Sequence, residues 1–143
     1  MITIADIMTS PVITLTPHDT LRTAHDTTRT QGIRHLPVVD SDTGMLMGIV
    51  TQRSMIAKVI SLMNLYGVKN IDAYEEQTSI MEIAVIDFDT ISPTESVSDV
   101  APFFLNNKHG CLPVIGEDGK LSGIVTSSDF VKLSVSLLEQ LEL

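Results

Sequence analysis

The sequence has no tryptophan, a single cysteine, and few aromatic or charged residues. Aromatic residues make up 4% of the 143 residues and charged residues 19%, whereas 43% are hydrophobic. This composition favours a packed globular protein over a disordered one. The lone cysteine, Cys111, excludes an internal disulfide. We expect it to be a buried, unreactive thiol in a reducing compartment.

Long apolar runs and concentrated positive charge are also absent. No stretch of about eighteen apolar residues occurs, and no basic N-terminal region is followed by a short apolar one. We therefore expect a cytoplasmic protein without a membrane span. The net charge is -9, and the nine Lys and Arg residues are scattered singly. This distribution opposes binding to a nucleic-acid backbone or to anionic lipid, since both need a positive face.

The chain contains a tandem duplication. Four segments of the first half return in the second half at an offset of 76 or 75 residues: Asp6-Ile-Met8 as Glu82-Ile-Ala84, Thr14-Leu-Thr-Pro17 as Thr90-Ile-Ser-Pro93, Leu36-Pro-Val-Val39 as Leu112-Pro-Val-Ile115, and Gly48-Ile-Val-Thr51 as Gly123-Ile-Val-Thr126. The change of offset falls in a turn, where a difference in length is tolerated. Internal repetition of this kind decides the architecture before any local pattern does.

The first copy predicts a β-α-β-β-α unit. Its elements are a strand over Val12–Leu15, a helix over Leu21–Gln31 capped by Thr20 and ended by Gly32, a hairpin of Leu36–Val39 and Met45–Val50 around Asp42-Thr43-Gly44, and a helix from about Ser54. The hairpin follows from two β-rich runs that flank turn residues.

The second copy predicts the same order, with a strand over Phe88–Ile91 and a helix capped by Ser96. Pro102 falls inside that helix, where it costs about 3 kcal/mol unless the helix starts later or bends. Ser98 as the cap would reduce this conflict. A hairpin around the turn residues 116–119 and a helix that begins after Val125 complete the copy.

These elements predict an α+β (α/β) fold with the following segments: repeat 1 over 1–60, a connector over 61–79 that combines a helix end, a loop and a crossover, repeat 2 over 80–135, and a C-terminal helix end over 136–143. A unit of about sixty residues cannot bury both faces of a three-stranded sheet alone. We therefore expect the two units to pack sheet to sheet or helix to helix in one body.

The junction after Val125 is the main candidate site. Thr126, Ser127 and Ser128 are good N-cap residues, and Asp129 places a carboxylate in the first helical turn. The free N–H groups and partial positive charge of a helix start suit a phosphate or an anionic ligand with hydroxyl groups. Simple helix capping by the same residues is the alternative.

No catalytic or metal motif is visible. The four histidines never occur at metal-site spacing with a second ligand, and Asp40-Ser-Asp42 is interpreted as a turn because it departs from a calcium loop. Neither a nucleophile with a base nor a glycine-rich phosphate loop occurs. We therefore expect no enzyme activity, no metal and no required cofactor.

The repeated segments resemble the CBS domain, named for cystathionine β-synthase. The resemblance rests on the following segments, which occur in the family's order in both copies: Asp6-Ile-Met-Thr9, Gly32-Ile-Arg-His-Leu-Pro-Val-Val-Asp40, Gly48-Ile-Val-Thr51, His109-Gly-Cys-Leu-Pro-Val-Ile115, and Gly123-Ile-Val-Thr-Ser-Ser-Asp129. It covers nearly the whole chain apart from the connector and the C-terminal tail.

The resemblance implies a stand-alone tandem CBS pair, packed through its sheets with pseudo-twofold symmetry and associated further into a homodimer. It implies adenosyl ligands such as AMP, ADP, ATP or S-adenosylmethionine in clefts between the repeats. The family motif matches Gly123, Thr126 and Asp129. By that match Asp129 accepts hydrogen bonds from ribose hydroxyls, and Thr126 donates to ribose or phosphate. The first copy departs from the motif, because Ser54 stands where the carboxylate belongs.

Further ligand-binding candidates follow from the same match. Thr90 and Ile91 correspond to the segment whose backbone meets the base, and Ser128 lies within the motif. A phosphate would need a cation, since a partly buried charge must be paired. The candidates for that role are Arg34, His35, Arg53, Lys108 and His109.

The sequence thus predicts a non-enzymatic regulatory module that binds an adenosyl ligand and acts on a separate, unidentified partner protein. The C-terminal helix, with its apolar stripe, is the candidate output element. The alternative is an interaction or scaffold protein with a degenerate nucleotide site. An enzyme of small scope is the weakest reading, because no reactive constellation is visible.

Overall fold

The computed structural model describes residues 1–107 and 110–142. Its main elements are α1 (Ile4–Ile7), α2 (Leu21–Gln31), β1 (His35–Val39), β2 (Leu46–Thr51), α3 (Gln52–Tyr66), α4 (Ile71–Gln77), α5 (Val97–Asn106), β3 (Cys111–Ile115), β4 (Leu121–Thr126) and α6 (Ser127–Leu141). Strand β1 pairs with β2 and β3 with β4, both antiparallel. The predicted mixed α and β fold class is confirmed.

The chain forms two compact units. We call Ile13–Phe88 the Ser54 unit, and Met1–Val12 together with Asp89–Leu143 the Asp129 unit. The first twelve residues therefore fold with the second repeat, although they precede the first. The predicted domain boundaries describe the repeat along the chain and stay a prediction, whereas the compact units group residues by contact.

Backbone hydrogen bonds hold the N-terminal segment in the Asp129 unit. The amide of Ile4 donates to the carbonyl of Glu95 at 2.9 Å, and the amide of Val97 donates to the carbonyl of Ile2 at 3.0 Å. Ile4 is fully buried there. Burial of this apolar side chain and satisfied backbone groups together anchor the segment.

Backbone hydrogen bonds likewise hold the segment before the second repeat in the Ser54 unit. The amide of Leu21 donates to the carbonyl of Thr78 at 2.8 Å, and that of Ile80 to the carbonyl of Asp19 at 3.1 Å. Ile80 is fully buried, as Ile4 is in the other unit. Each lead-in segment thus completes the core of the other repeat.

Helix α2 has the predicted bounds and caps. The Thr20 side chain accepts a hydrogen bond from the amide of Thr23, which satisfies one of the free donors of the first turn. Gly32 ends the helix with φ of 65°, a left-handed conformation that glycine adopts without steric cost. The buried face comprises Leu21, Ala24 and Thr28.

Each unit has its own apolar core under its hairpin. In the Ser54 unit the buried cluster is Leu15, Leu21, Ala24, Leu36, Val38, Val50, Met55, Leu62 and Ile80. In the Asp129 unit it is Ile4, Val97, Val100, Phe104, Leu112, Val114 and Val125. Positive-φ glycines, Gly44 and Gly119, lie in the turn regions of the two hairpins.

The predicted strands Val12–Leu15 and Phe88–Ile91 are wrong in extent. Each is reduced to one parallel bridge, Leu15 with Val38 and Ile91 with Val114. The neighbouring residues carry suitable β-forming side chains, but only one residue in each run reaches the hairpin with its backbone. β propensity describes a fit to a sheet surface, and it cannot say how far that surface extends.

Ser98 is not the cap of this helix. The alternative that a later start at Ser98 reduces the conflict with Pro102 is therefore wrong. Helix α5 begins at Val97 and contains Pro102 in its interior. Val97 is buried with Val100 and Phe104, so burial of this apolar face outweighs the hydrogen bond that proline removes.

The connector contains the predicted helix end, but further helix stands where a loop was predicted. Helix α3 continues to Tyr66, and α4 follows after a short 3-10 helix, Val68–Asn70. Long-range contacts stabilise α4: the ring of Tyr74 stacks on Tyr66 with centroids 3.9 Å apart, and buried Glu75 accepts a hydrogen bond from His25 at 3.0 Å. Such tertiary contacts leave no local sequence signal.

Candidate functional site

Asp129 is held at the junction between β4 and α6. The backbone amide of Thr126 donates to its Oδ2 at 2.9 Å, which is the reciprocal half of a capping box. The residue is 4% exposed. Capping by Asp129, the alternative to ligand binding in the sequence analysis, therefore occurs in the structure.

The second oxygen of Asp129 has a partner that the sequence analysis did not identify. The hydroxyl of Thr9, in the N-terminal segment, donates to Asp129 Oδ1 at 2.9 Å. Thr9 also pairs through its backbone with Ile124, in an antiparallel bridge beside the site. One signal was available: Thr9 corresponds to Val85 in the other copy, while Asp129 corresponds to Ser54.

Gly123 allows this close approach of the N-terminal segment. A Cβ atom at Gly123 would lie 2.5 Å from Met8 Sδ and 3.1 Å from the carbonyl oxygen of Thr9. Any larger residue would therefore push the segment away from β4. This packing role explains the glycine; its predicted ligand contact stays a prediction.

The carboxylate of Asp129 is held by hydrogen bonds from neutral donors. Among the described residues, no lysine or arginine forms an ion pair with it. Its charge is stabilised by two hydrogen bonds and by its place in the first turn of α6, where the helix dipole is positive. A carboxylate offers about four lone-pair sites, so the two donors leave acceptor capacity for hydroxyl groups of a ligand.

Cys111 lies in the electrostatic field of Asp129. Burial, and to a smaller extent the negative charge of Asp129, raises the pKa of the Cys111 thiol to about 12. A thiol with such a pKa remains protonated and is a poor nucleophile. The structure therefore agrees with the prediction of an unreactive thiol, although Cys111 is only partly buried.

The other predicted residues of the Asp129 unit are distributed along the junction and the bridge. The hydroxyls of Thr126 and Ser128 are 3.1 Å apart at the start of α6. The amide of Ile91 donates to the carbonyl of Pro113 at 3.0 Å, and Thr90 before it is exposed. The predicted contacts of these four residues with a ligand stay predictions.

The predicted phosphate-binding cations do not form a cluster in the Asp129 unit. Arg34, His35 and Arg53 belong to the Ser54 unit, where both arginines are exposed. Lys108 and His109 lie outside the described residues. The role of all five in binding phosphate stays a prediction.

The corresponding junction of the Ser54 unit has a different chemistry. The hydroxyl of Ser54 donates to the carbonyl of Thr51 at 2.9 Å, and the amide of Ser54 donates to Thr51 Oγ1 at 3.0 Å. Ser54 thus caps α3 through both its amide and its hydroxyl. Val85 stands at the position of Thr9 and Ser54 at that of Asp129, so the hydrogen bond between Thr9 and Asp129 has no equivalent in this unit.

A concavity lies between α2 and α3 of the Ser54 unit. It has a volume of about 340 Å³ and a mainly apolar wall formed by Met55, Ile56, Val59, Ile60 and Met63. In the Asp129 unit, Phe104 contacts Phe130 with ring centroids 5.0 Å apart. Thr28 and Met55, at the positions of these two phenylalanines, both line the cavity of the Ser54 unit.

The described residues contain neither a metal site nor a membrane-spanning helix. No three His, Cys, Asp or Glu side chains in residues 1–107 and 110–142 are arranged to hold a metal ion. In the same ranges, none of the helices has the length and apolar character needed to cross a bilayer.

Comparison with known proteins gives a consistent family assignment. The model of the CBS domain matches residues 4–61 and 79–136. A CBS domain-containing protein from Dictyostelium discoideum is 30% identical over 141 residues, which cover 95% of this chain and 93% of the relative. A sequence match of this extent includes both repeats.

Solved structures agree with this assignment. A crystal structure of a candidate acetoin utilization protein, AcuB, from Vibrio cholerae has a TM-score of 0.83 and 34% identity, covering 99% of this chain and 96% of that one. The CBS domain pair of protein MJ0100, solved in complex with 5′-methylthioadenosine and S-adenosyl-L-methionine, has a TM-score of 0.74 and 26% identity, covering 95% and 98%.

Some curated relatives are longer than this chain. It spans 42% of the uncharacterized protein MJ1225 from Methanocaldococcus jannaschii, at 31% identity over 91% of this chain. It spans 24% of a homoserine O-acetyltransferase from Methanosalsum zhilinae, also at 31% identity. The matched region is therefore only part of those proteins.

Proposed function

The chain belongs to the CBS domain family, and we propose that it is a regulatory module that binds an adenosyl ligand through ribose hydroxyls at Asp129. The observation that carries this proposal is the carboxylate itself. It is 4% exposed and forms no ion pair with a described lysine or arginine. A buried carboxylate is normally paired with a cation, and one that is held by only two neutral donors keeps acceptor capacity for a ligand.

A ribose is suited to this carboxylate. Its 2′ and 3′ hydroxyls are adjacent donors, and charge-assisted hydrogen bonds from two hydroxyls to one carboxylate are among the stronger neutral-to-ion contacts. The fixed donors Thr9 and Thr126 already hold the two oxygens, so a ligand need not order the side chain.

The charge of the Asp129 unit favours an adenosyl ligand with little negative charge. In sequence, this unit has nine acidic residues, three lysines and no arginine. A triphosphate would add repulsion that a neutral thioether or a sulfonium compound avoids. The MJ0100 pair was solved with ligands of these two kinds. We therefore rank S-adenosylmethionine and 5′-methylthioadenosine above ATP, with AMP and ADP between them.

The proposal is tested by titration calorimetry with S-adenosylmethionine, 5′-methylthioadenosine, AMP, ADP, ATP and NAD. Asp129→Asn keeps the size of the side chain but removes its charge, so we expect binding to weaken about 10- to 100-fold for loss of hydrogen bonds to an ion. Asp6→Asn is the matched control, because Asp6 accepts the same capping bond from the amide of Thr3, at 2.8 Å, on an exposed surface. Unchanged binding in Asp129→Asn would reject the site.

A homodimer is proposed from two equivalent apolar stripes. Ile56 and Ile60 on α3 are both 52% exposed, and Val131 and Val135, at the same positions of α6, are 62% and 50% exposed. Exposed stripes of this kind are typical of protein interfaces. Sedimentation of Ile60→Glu and Val135→Glu tests this, with Leu65→Glu as the control, because Leu65 is 69% exposed and lies on the opposite side of α3. A wild-type monomer at all concentrations would reject the dimer.

An interaction or scaffold protein without ligand remains the second candidate function. It is favoured by one observation, namely that Asp129 already caps α6 and so has a structural role without ligand. Such a protein would use the stripe of α6 to contact a partner, and Asp129→Asn would lower its thermal stability without any loss of binding to that partner.

We also propose that the protein is located in the cytoplasm. Its sole cysteine, Cys111, suits that reducing compartment, and cell fractionation tests the location.

A further inference from the structure

The N-terminal segment brings a hydroxyl into the candidate site. Thr9 exchanges both backbone hydrogen bonds with Ile124, at 2.9 and 3.1 Å. Ser10 adds a third bond, from its hydroxyl to the carbonyl of Ser122 at 2.9 Å. Because these bonds fix the backbone, the Thr9 side chain is presented at a defined place beside α6.

The Thr9 hydroxyl fixes one half of the carboxylate. It donates to Asp129 Oδ1 at 2.9 Å, while the amide of Thr126 donates to Oδ2 at 2.9 Å. With one donor on each oxygen, the plane of the carboxylate is set. The lone pairs that remain free then point in defined directions, which is what recognition of two adjacent hydroxyls needs.

The duplication provides an internal control for the role of this hydroxyl. Val85 occupies the position of Thr9 in the Ser54 unit, and its backbone still exchanges hydrogen bonds with Ile49, at 2.8 and 2.9 Å. The lead-in segment therefore docks equally well without a hydroxyl. In that unit Ser54 replaces Asp129, so the hydroxyl is present only where the carboxylate is present.

We propose that Thr9 is a positioning residue for ligand binding, which orients the carboxylate of Asp129 toward the 2′ and 3′ hydroxyls of a ribose. This inference rests on the proposed function. It makes the N-terminal segment, which precedes both hairpins, a part of the binding site in the second repeat. Affinity for an adenosyl ligand then depends on how that segment is anchored.

The test compares Thr9→Val, which copies Val85, with Thr9→Ser, which retains the hydroxyl. Titration calorimetry on the full chain uses 5′-methylthioadenosine, adenosine, 2′-deoxyadenosine and 3′-deoxyadenosine. We expect Thr9→Val to weaken binding of the two full ribosides about 3- to 10-fold, the range for one hydrogen bond, and Thr9→Ser to restore it.

The preference for a complete ribose separates positioning from a merely structural effect. In Thr9→Val the ratio between adenosine and its deoxy analogues should fall, whereas general loosening of the fold would weaken all four ligands equally. A Thr9→Val protein with wild-type affinity and wild-type ribose preference overturns the inference, as does equal weakening of all ligands.

Asp129→Asn distinguishes failure of this inference from failure of the proposed function. If Asp129→Asn abolishes binding while Thr9→Val has no effect, only the role of Thr9 is rejected. If the wild-type protein binds neither these four ligands nor S-adenosylmethionine, AMP, ADP or ATP, or if Asp129→Asn binds them normally, both are rejected. Thermal unfolding of Thr9→Val, which should match wild type within a few degrees, confirms that the variant is folded.

Discussion

The Asp129 unit and the Ser54 unit have the same backbone plan and different chemistry. Helices α3 and α6 begin after equivalent strands, and the lead-in segment pairs with β2 in one unit and with β4 in the other. Only the Asp129 unit has a buried carboxylate with a hydroxyl donor from the lead-in. Backbone geometry and ligand chemistry are therefore separable in this fold, since the first is shared and the second is not.

The units also differ in how they fill the space between their helices. Phe104 contacts Phe130 in the Asp129 unit, whereas Thr28 and Met55, at the same positions of the Ser54 unit, line a cavity of about 340 Å³. All four arginines of the sequence lie in the Ser54 unit. One unit thus has a filled core beside a polar junction, and the other an apolar recess beside a capped, uncharged junction.

Removal of the aromatic filling is expected to give the largest change. Phe104→Ala should lower the free energy of unfolding by about 3 to 5 kcal/mol, because a buried ring is lost and a cavity remains. Thr28→Ala, at the same position of the Ser54 unit, should cost only about 1 kcal/mol, since its space is already partly empty. Urea unfolding of both variants measures the difference; equal losses would contradict this account of the cavity.

Transfer of the polar pair tests whether two residues account for the chemical difference. We expect Ser54→Asp with Val85→Thr to raise the stoichiometry of 5′-methylthioadenosine binding from one to two per chain, with weaker affinity at the new site. Val85→Thr alone should add no site, because it supplies no carboxylate. Ser54→Asp alone should add a site about 3- to 10-fold weaker than that of the double variant, because it lacks the positioning hydroxyl. Titration calorimetry gives the stoichiometry, and an unchanged value for the double variant would show that further residues are required.

Changes at Cys111 are expected to give the smaller effects, the first of them on the pH dependence of stability. The pKa of its thiol is raised from 9.0 to about 12 in the folded protein. Between these values the unfolded chain releases a proton that the folded protein retains, so this thiol makes stability fall as the pH rises above 9. Cys111→Ala should remove that part of the slope in denaturant unfolding between pH 9 and pH 11. An identical slope in wild type and variant would show that the thiol is not shielded.

Iodoacetamide labelling adds a second measurement on the same residue. Because the charge of Asp129 contributes to the raised pKa of Cys111, Asp129→Asn should lower that pKa and speed labelling about 2- to 3-fold at pH 9. Thr9→Val leaves the charge in place and is the control. Slower labelling in Asp129→Asn would contradict the electrostatic contact.

Much of the fold could be predicted because its signals are local. Thr20 and Gly32 mark the two ends of α2, and turn residues lie between the predicted hairpin strands. Because the sequence is duplicated, each element predicted in the first copy could also be predicted in the second. The extent of the bridges at Leu15 and Ile91 could not be predicted, since it depends on where the backbone meets a hairpin that is distant in sequence.

The site was only partly visible in the sequence for the same reason. Asp129 and Thr126 are three residues apart, so their capping bond follows from a local pattern. Thr9 is 120 residues from Asp129, and only folding of the N-terminal segment onto the second repeat brings them together. The signal that could have revealed Thr9 was its joint replacement with Asp129 in the other copy.

The reciprocal use of the lead-in segments has a practical consequence for dividing the protein. A cut within α4 leaves Met1–Val12 on one fragment and its hydrogen-bond partners Glu95 and Ile124 on the other. The N-terminal piece likewise lacks Ile80, which belongs to its own core. Each fragment would then carry the missing part of the other, which makes this chain a natural candidate for a split protein whose halves recover binding only when they are mixed.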